Sequence, residues 1–387
     1  YNPYLDILDE DWEELLPDFI VRMLQDTDRH SYDLTIAALT AKLQDAHVIY
    51  NERSEFIQKE FGEYIVNDIE FVSAEGEVVI VQTFDESCPL QAGDIVRKLD
   101  GVDIKDVIQH CTEYYSVPMD GKICNALRYP LFRSHDTTLE VTVLRDGEEK
   151  TIDVPAGEFP SSFIPRYGAS YQEGEKKPYE IIEGNIGVIN PDFMDLQSGA
   201  IHGNDAKWIE AMNALRETDG LIVDYRQYPA NSWRCLPPYL FEEPEVGLLG
   251  VSISEAVSGT FVKEPVYNFF NKPRAVYPYE KEVVVLIDEH SQSAPEYAAI
   301  LVRNAENVTL MGENTLGSDG HCLIVPIPGG NMVLYTAYGI YTPEGGQTQR
   351  IGIPPDIEVK KTIEGIKEGR DELLEAAVAY IREENKK

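Results

Sequence analysis

The chain has 387 residues and a mass of 43.6 kDa, room for two or three domains at about 100–200 residues each. Hydrophobic residues at 43% and aromatics at 10% exclude wholesale disorder. The balance of 33 Lys+Arg against 68 Asp+Glu leaves a net charge of -35, which repels phosphate backbones and argues against a nucleic-acid partner. Plain solubility is enough to account for the acidity.

Mean hydropathy is -0.28. Apolar runs such as Val283–Ile287 fall far short of the roughly 20 residues of a spanning helix, so no membrane span is expected. The five cysteines form no CxxC pair, and neither HExxH nor GxxxxGK[ST] occurs. No zinc ribbon, catalytic metal or nucleotide cofactor is therefore expected. The chain opens on Tyr1 without an apolar leader, which reads as a mature or trimmed form.

In chain order, the opening predicts two amphipathic helices. Trp12, Leu15, Leu16, Phe19, Ile20, Met23 and Leu24 recur at helical spacing, and Ser31 is placed to cap a second helix bearing Leu34, Ala37 and Leu43. Asp45–Tyr50 then reads as β-like. From about residue 62, short strands follow closely: Glu77–Phe84, Ile95–Leu99, Leu139–Leu144 and Lys150–Val154, the last two across an Arg145-Asp146-Gly147 turn. Among them, Leu90-Gln91-Ala92-Gly93-Asp94-Ile95-Val96-Arg97-Lys98-Leu99-Asp100-Gly101 resembles the L-x-x-GD-x-I-x-x-V-x-G signature of PDZ domains. The same run also makes sense as bare hairpin chemistry.

Pro155–Pro178 has the composition of a linker. Beyond it, β-branched runs at Ile186–Ile189, Leu221–Asp224, Val283–Ile287 and Val308–Met311 alternate with helical segments, notably Ala206–Arg216 and Glu296–Arg303. This is the pattern of an α/β layer. A last helix carries Leu373, Leu374, Ala377, Val378 and Ile381 on one face.

The segment Val283–Tyr297 reads as strand, tight loop and helix, with Ser293 at the helix N-terminus and Pro295 in the first turn. Ser293 and Glu296 match a capping box, and composition alone favours that role. The same position places a hydroxyl beside free N–H groups and a positive dipole end, which suits a nucleophile next to an oxyanion site once a base is available.

Three separated stretches resemble the serine peptidase family of the C-terminal processing (tail-specific) proteases and tricorn. Leu43-Gln44-Asp45-Ala46-His47 is similar to L-x-D-[GS]-H. Gly220-Leu221-Ile222-Val223-Asp224-Tyr225-Arg226 is similar to G-[LI]-I-[LIV]-D-[LIM]-R, and Ser293-Ala294-Pro295-Glu296 to S-A-x-E. Gly312–Gly317 and Gly352–Ile357 add two further matches. The order of the motifs, with a PDZ-like insert between the first and second, spans nearly the whole chain. The resemblance implies a mixed α/β (α+β) fold: a crotonase-superfamily-like peptidase core with N-terminal helices and an inserted PDZ-like β domain. The divisions expected are a helical region at 1–60 carrying the His motif, a PDZ-like domain at 61–158 and a peptidase core at 159–387.

The resemblance further implies Ser293 as nucleophile. The lysine base of the tail-specific branch falls on Asn314, which cannot act as a base, so His47, matching the tricorn-like base, takes that place; its unperturbed pKa lies near neutrality. The tricorn-like third member falls on Gln349, which can orient an imidazole but stabilises its charged form less. Asp319 and Glu313 are rival orienters, and Asp45 reads as structural. Ala294 and Ala230 are the expected oxyanion donors, since Pro229 has no N–H. Arg226 holds its loop or binds a peptide carboxylate, with the structural role favoured.

The expected activity is that of a periplasmic or extracellular serine endopeptidase acting on peptide or protein substrates, which the PDZ-like domain would hold by strand addition. Two competing readings use the same residues: an impaired peptide-binding protein, favoured by Asn314 and Gln349, and an esterase.

Overall fold

A computed structural model describes residues 2–50, 55–67, 69–119, 122, 126–158, 177–191, 206–226, 228–229, 232–269 and 276–386. Its architecture is mixed α/β, as expected. The central sheet runs in the order Tyr179–Ile182, Ile186–Ile189, Gly220–Asp224, Val283–Ile287, Val308–Gly312, Ile357–Glu358, parallel throughout except at its first strand. All five residues of Val283–Ile287 are buried, as a strand covered on both faces must be. Alternation divides its side chains between two cores. Val283, Val285 and Ile287 join Ala298 and Leu301 of the helix Ala294–Val302, whereas Val284 and Leu286 meet Leu373, Ala377 and Ile381 of the helix Glu372–Glu384. Gly220 is required by that second packing: a Cβ there would lie 2.4 Å from Ile381 Cγ2.

A second, antiparallel sheet contains Val246–Ile253, Phe261–Tyr267, His321–Ile327 and the long strand Asn331–Tyr341. None of these strands stood out in the sequence. The short strand Ile49–Tyr50 joins it, pairing Ile49 with Leu334 and Tyr50 with Val333. This pairing ties the N-terminal segment to the antiparallel sheet. Residues 45–48 form a turn rather than strand, because Asp45 Oδ1 accepts the His47 N–H at 2.9 Å and its carbonyl accepts the Val48 N–H.

The β-rich unit pairs Ile69–Ala74, Glu77–Thr83, Ile95–Leu99, Thr138–Arg145 and Glu148–Pro155 in that order. Its turns at Glu75-Gly76, Asp100-Gly101 and Asp146-Gly147 all have positive φ at both residues, the geometry of two-residue hairpins. The expected linker begins later than composition suggested: Pro155 ends one strand and Gly157–Glu158 forms another. Residues 159–176 lie outside the described ones. Phe56 and Ile57, from the N-terminal region, share one core with Val96, Leu99 and Leu139 of this unit.

The opening helices span Trp12–Gln25 and Arg29–Ala41. Asp28, not Ser31, caps the second, and Ser31 closes the capping box from the third position. On the first helix only Phe19 is buried, while Leu16, Ile20 and Leu24 are exposed. Phe19 and Met23 face inward, Met23 packing against the neighbouring core, while the rest of the apolar residues meet solvent.

At the end of the strand Gly220–Asp224, Arg226 is buried and doubly bidentate. Nε and Nη2 donate to Asp224 and Nη1 and Nη2 to Asp371, all at 2.7–2.8 Å. Asp371 is the N-cap of the last helix, so this guanidinium ties sheet to helix and has the structural role. Arg226→Ala removes the guanidinium from two carboxylates at once, one of them buried; it should destabilise the protein by about 3–5 kcal/mol, read from urea unfolding midpoints.

Candidate active site

Ser293 sits on a sharp turn between the strand Val283–Ile287 and the helix Ala294–Val302, with φ 65 and ψ -114. An ordinary N-cap lies in the β region. A non-glycine residue at positive φ is held at a cost of about 1–3 kcal/mol, and such outliers cluster at functional sites. The capping box with Glu296 is formed, but capping alone does not need this strain.

Glu296 holds the turn. Its Oε1 accepts from Thr315 Oγ1 at 2.6 Å and Gly317 N–H at 2.8 Å; its Oε2 accepts from Ser318 N–H at 3.0 Å and Ser293 N–H at 3.1 Å. Burial pushes its carboxyl up to about 7, and the four donors pull the other way. Ser293 N–H also reaches Ser318 O at 2.9 Å.

Ser318 extends this knot to the N-terminal turn. Its Oγ donates to Asp45 Oδ1 at 2.7 Å and accepts from Ala46 N–H at 2.8 Å. One buried serine thus joins the segments bearing Ser293 and His47.

His47 and Ser293 line one cavity of about 400 Å³, together with His290, His321, Gln292, Cys322, Arg128 and a wall of Tyr50, Phe56, Tyr114, Tyr115, Tyr129 and Tyr228. Among the described residues no hydrogen bond joins His47 to Ser293. The His47 Nδ1 faces Thr336 Oγ1 at 3.1 Å, with Asp45 Oδ1 at 3.6 Å. The Thr336 hydroxyl can donate or accept, and the Asp45 carboxylate stands beyond hydrogen-bond range on the same side of the ring. Burial lowers the pKa of His47, opposed by Asp45 and assisted by His321.

The orienter expected at Gln349 is elsewhere engaged. Gln349 is buried, but its Oε1 accepts from Asp319 N–H at 3.1 Å, so Thr336 and Asp45 are the groups against the imidazole. Asp319 is buried beside it. Its Oδ1 accepts from Gly320 N–H, and burial, with Glu296 and Asp45 nearby, raises its pKa well above the usual carboxylate range. Glu313 belongs to a different cluster, accepting from Lys361 N–H at 3.2 Å. Asn314 Nδ2 donates to Ile351 O at 2.7 Å. Ala294 opens its helix, so its N–H is among those with no intrahelical partner. Ala230 lies outside the described residues.

Two cavity residues escaped sequence reasoning, His290 and His321. Three of the seven histidines therefore meet at one site. His321 leads a strand with its ring against Tyr338, and no local motif marks it. His290 lies three residues before Ser293, and that nearness was the signal available.

Glu296→Gln puts an amide NH₂ where two donors already point. It should destabilise the fold by about 1–3 kcal/mol, measured by urea unfolding, and slow the covalent modification of Ser293 by an organophosphorus probe.

Residues 185–359 match the family described as Peptidase family S41. The chain is 24% identical over 332 residues to the carboxy-terminal-processing protease of Bartonella bacilliformis, covering 81% of this chain and 65% of that protein. It is 21% identical over 338 residues to carboxy-terminal processing protease CtpB of Bacillus subtilis, covering 84% and 62%. It thus spans somewhat under two thirds of the curated relatives it matches. The crystal structure of mature CPAF superposes with a TM-score of 0.71 at 14% identity, covering 97% of this chain and 93% of that one, a likeness of fold. The strand that bears Asp224, the strained Ser293 and the Glu296 knot all fall inside the segment that is similar to peptidase family S41.

Proposed function

We propose that the protein is a serine endopeptidase in which Ser293 is the nucleophile and His47 its general base. The observation that carries this reading is the strained backbone of Ser293 on the wall of a cavity shared with the His47 imidazole, which Thr336 and Asp45 approach from the Nδ1 side. His47 takes the Ser293 Oγ proton as Oγ attacks the scissile carbonyl, then returns it to the leaving amine. Thr336 and Asp45 orient the ring from the Nδ1 side. Asp45 is already shared with Ser318, so the developing imidazolium receives less support than a dedicated carboxylate would supply. Ala294 N–H is one oxyanion donor, and Ala230 N–H the candidate second.

The cavity volume suits a few side chains of an extended peptide. Its lining is aromatic and imidazole-rich and contains no carboxylate among the described residues. We assign substrate capture to the β-rich unit at 61–158 as a PDZ-like domain, flanked by the helical region at 1–60 and the core at 159–387. The relatives' printed names, carboxy-terminal processing proteases, make a polypeptide near its C-terminus the substrate class of choice. The family resemblance also favours action in the periplasm or outside the cell.

A fluorophosphonate probe tests the chemistry. Wild type should be labelled at Ser293, and Ser293→Ala should abolish labelling. His47→Ala should slow labelling and peptide cleavage by about 10²–10⁴-fold. An unlabelled wild type would instead support the impaired peptide-binding reading, and turnover of esters without peptides the esterase.

The pH profile has a worked sign. The base must be neutral, and burial favours the neutral ring. Peptidase kcat/KM should therefore stay high as pH falls past about 6.5, the ordinary histidine value, and decline only below it. An acid limb centred above that value, or one unchanged in His47→Gln, would remove His47 as base.

A further inference from the structure

The cavity holds a second imidazole that the mechanism above does not use. His290 is buried to 7% exposure on the nucleophile's own loop and is one of the residues that line the cavity. Its backbone N–H donates to Asp288 Oδ1 at 2.9 Å, and its Nδ1 lies 3.4 Å from both oxygens of that carboxylate. Asp288 is itself buried and receives Lys361 Nζ on Oδ2 at 2.5 Å. Lys361 and His290 hold this carboxyl well below the usual range against the effect of burial, so it is ionised.

The loop is rigid. Ser291 Oγ donates to Tyr225 O and accepts from Asp288 N–H, and Leu316 N–H donates to Ser291 O. Asp288 therefore acts on His290 as a buried carboxylate acts on a catalytic imidazole, fixing Nδ1–H and presenting Nε2 as a base. His47 has no such partner to itself, since Thr336 is its nearer contact and Asp45 is shared with Ser318. His321 has its ring against Tyr338.

Hydrolysis through an acyl-enzyme needs a base twice, once for the serine hydroxyl and once for water. We propose that His290, held by Asp288, is the general base for the second half-reaction. In acylation, His47 takes the Ser293 proton and gives it to the amine as the C–N bond breaks. In deacylation, water adds to the acyl carbon and passes a proton to His290 Nε2. That proton then goes to Ser293 Oγ as the ester C–O bond breaks, leaving both imidazoles as they began. This assignment rests on Ser293 being the nucleophile.

The test uses the whole chain with a p-nitrophenyl acyl ester, following the nitrophenolate burst and the acyl-enzyme by intact mass. His290→Gln should retain the burst, one product per Ser293, and slow the subsequent turnover by about 10²-fold. The acylated protein should accumulate in the mass spectrum. Hydroxylamine, an acceptor that needs no base, should restore turnover in His290→Gln and not in His47→Ala. His290→Asn should give the same split, which keeps the test decisive if one substitution unfolds the loop. Release of the acyl group at the wild-type rate, or loss of the burst together with turnover in a folded variant, overturns the assignment. Failure of wild type to label with the fluorophosphonate would instead overturn the serine mechanism and this step with it. Labelled wild type with unaffected release in His290→Gln overturns only the role of His290.

Discussion

The site depends on the hydrogen-bonded knot around Glu296 and Ser318. A serine at φ 65 relaxes to an ordinary cap unless its surroundings over-determine it. Here four donors from three points of the chain converge on one buried carboxylate, and Ser293 N–H is shared between that carboxylate and Ser318 O. Each neutral hydrogen bond is worth only about 0.5–1.5 kcal/mol net, with bonds to a charged group at the upper end and beyond. Several together outweigh the strain. The same Ser318 then reaches the Asp45–His47 turn through Oγ, so the position of the imidazole is not independent of the shape of the nucleophile's turn.

Charge is distributed in layers. The chain carries a net -35, yet the described cavity lining presents three imidazoles and an arginine without a carboxylate. The acids stand behind that wall: Asp45 near His47, Asp319 beside Asp45 and Glu296, Asp288 against His290, and Glu296 bonded to Ser293 N–H. Buried carboxylates in these places act through hydrogen bonds and orientation rather than as ligands for substrate. Asp288 is the best supported of them, because Lys361 supplies the compensating charge that a buried anion requires.

The β-rich unit is mechanically joined to this arrangement. Ser73 N–H, on its edge strand Ile69–Ala74, donates to Glu289 Oε1 at 3.1 Å, one residue from His290. Ile366, in the short helix that follows Lys361, packs with Val72, Ala74 and Val79 of the same unit. Both connections end on the Asp288–His290 loop or its counter-ion. Packed side chains with few alternative arrangements transmit displacement, so the placement of this unit and that of the loop are set together.

The sequence by itself determined the parallel sheet, because its strands are buried on both faces and read as β-branched runs, with Val283–Ile287 the plainest. It also determined the hairpins of the β-rich unit, whose Asp-Gly and Glu-Gly pairs adopt the positive φ that two-residue turns require, and the order of motifs that carries the resemblance to the peptidase family. Ser293 could be singled out, but composition alone favoured its capping pattern with Glu296 as an inert helix end. Only the tertiary structure shows the backbone strain, since it comes with contacts to residues 315–318 that no local pattern encodes. It likewise moved the cap of the second helix to Asp28, turned Gln349 toward Asp319, and brought Thr336 to His47. The antiparallel sheet was illegible for the same reason. Asn331–Tyr341 is half-exposed and mixed in composition, and its pairing with Ile49–Tyr50 is a long-range contact. A short polar side chain is locally compatible with many partners, and only the closed chain selects among them.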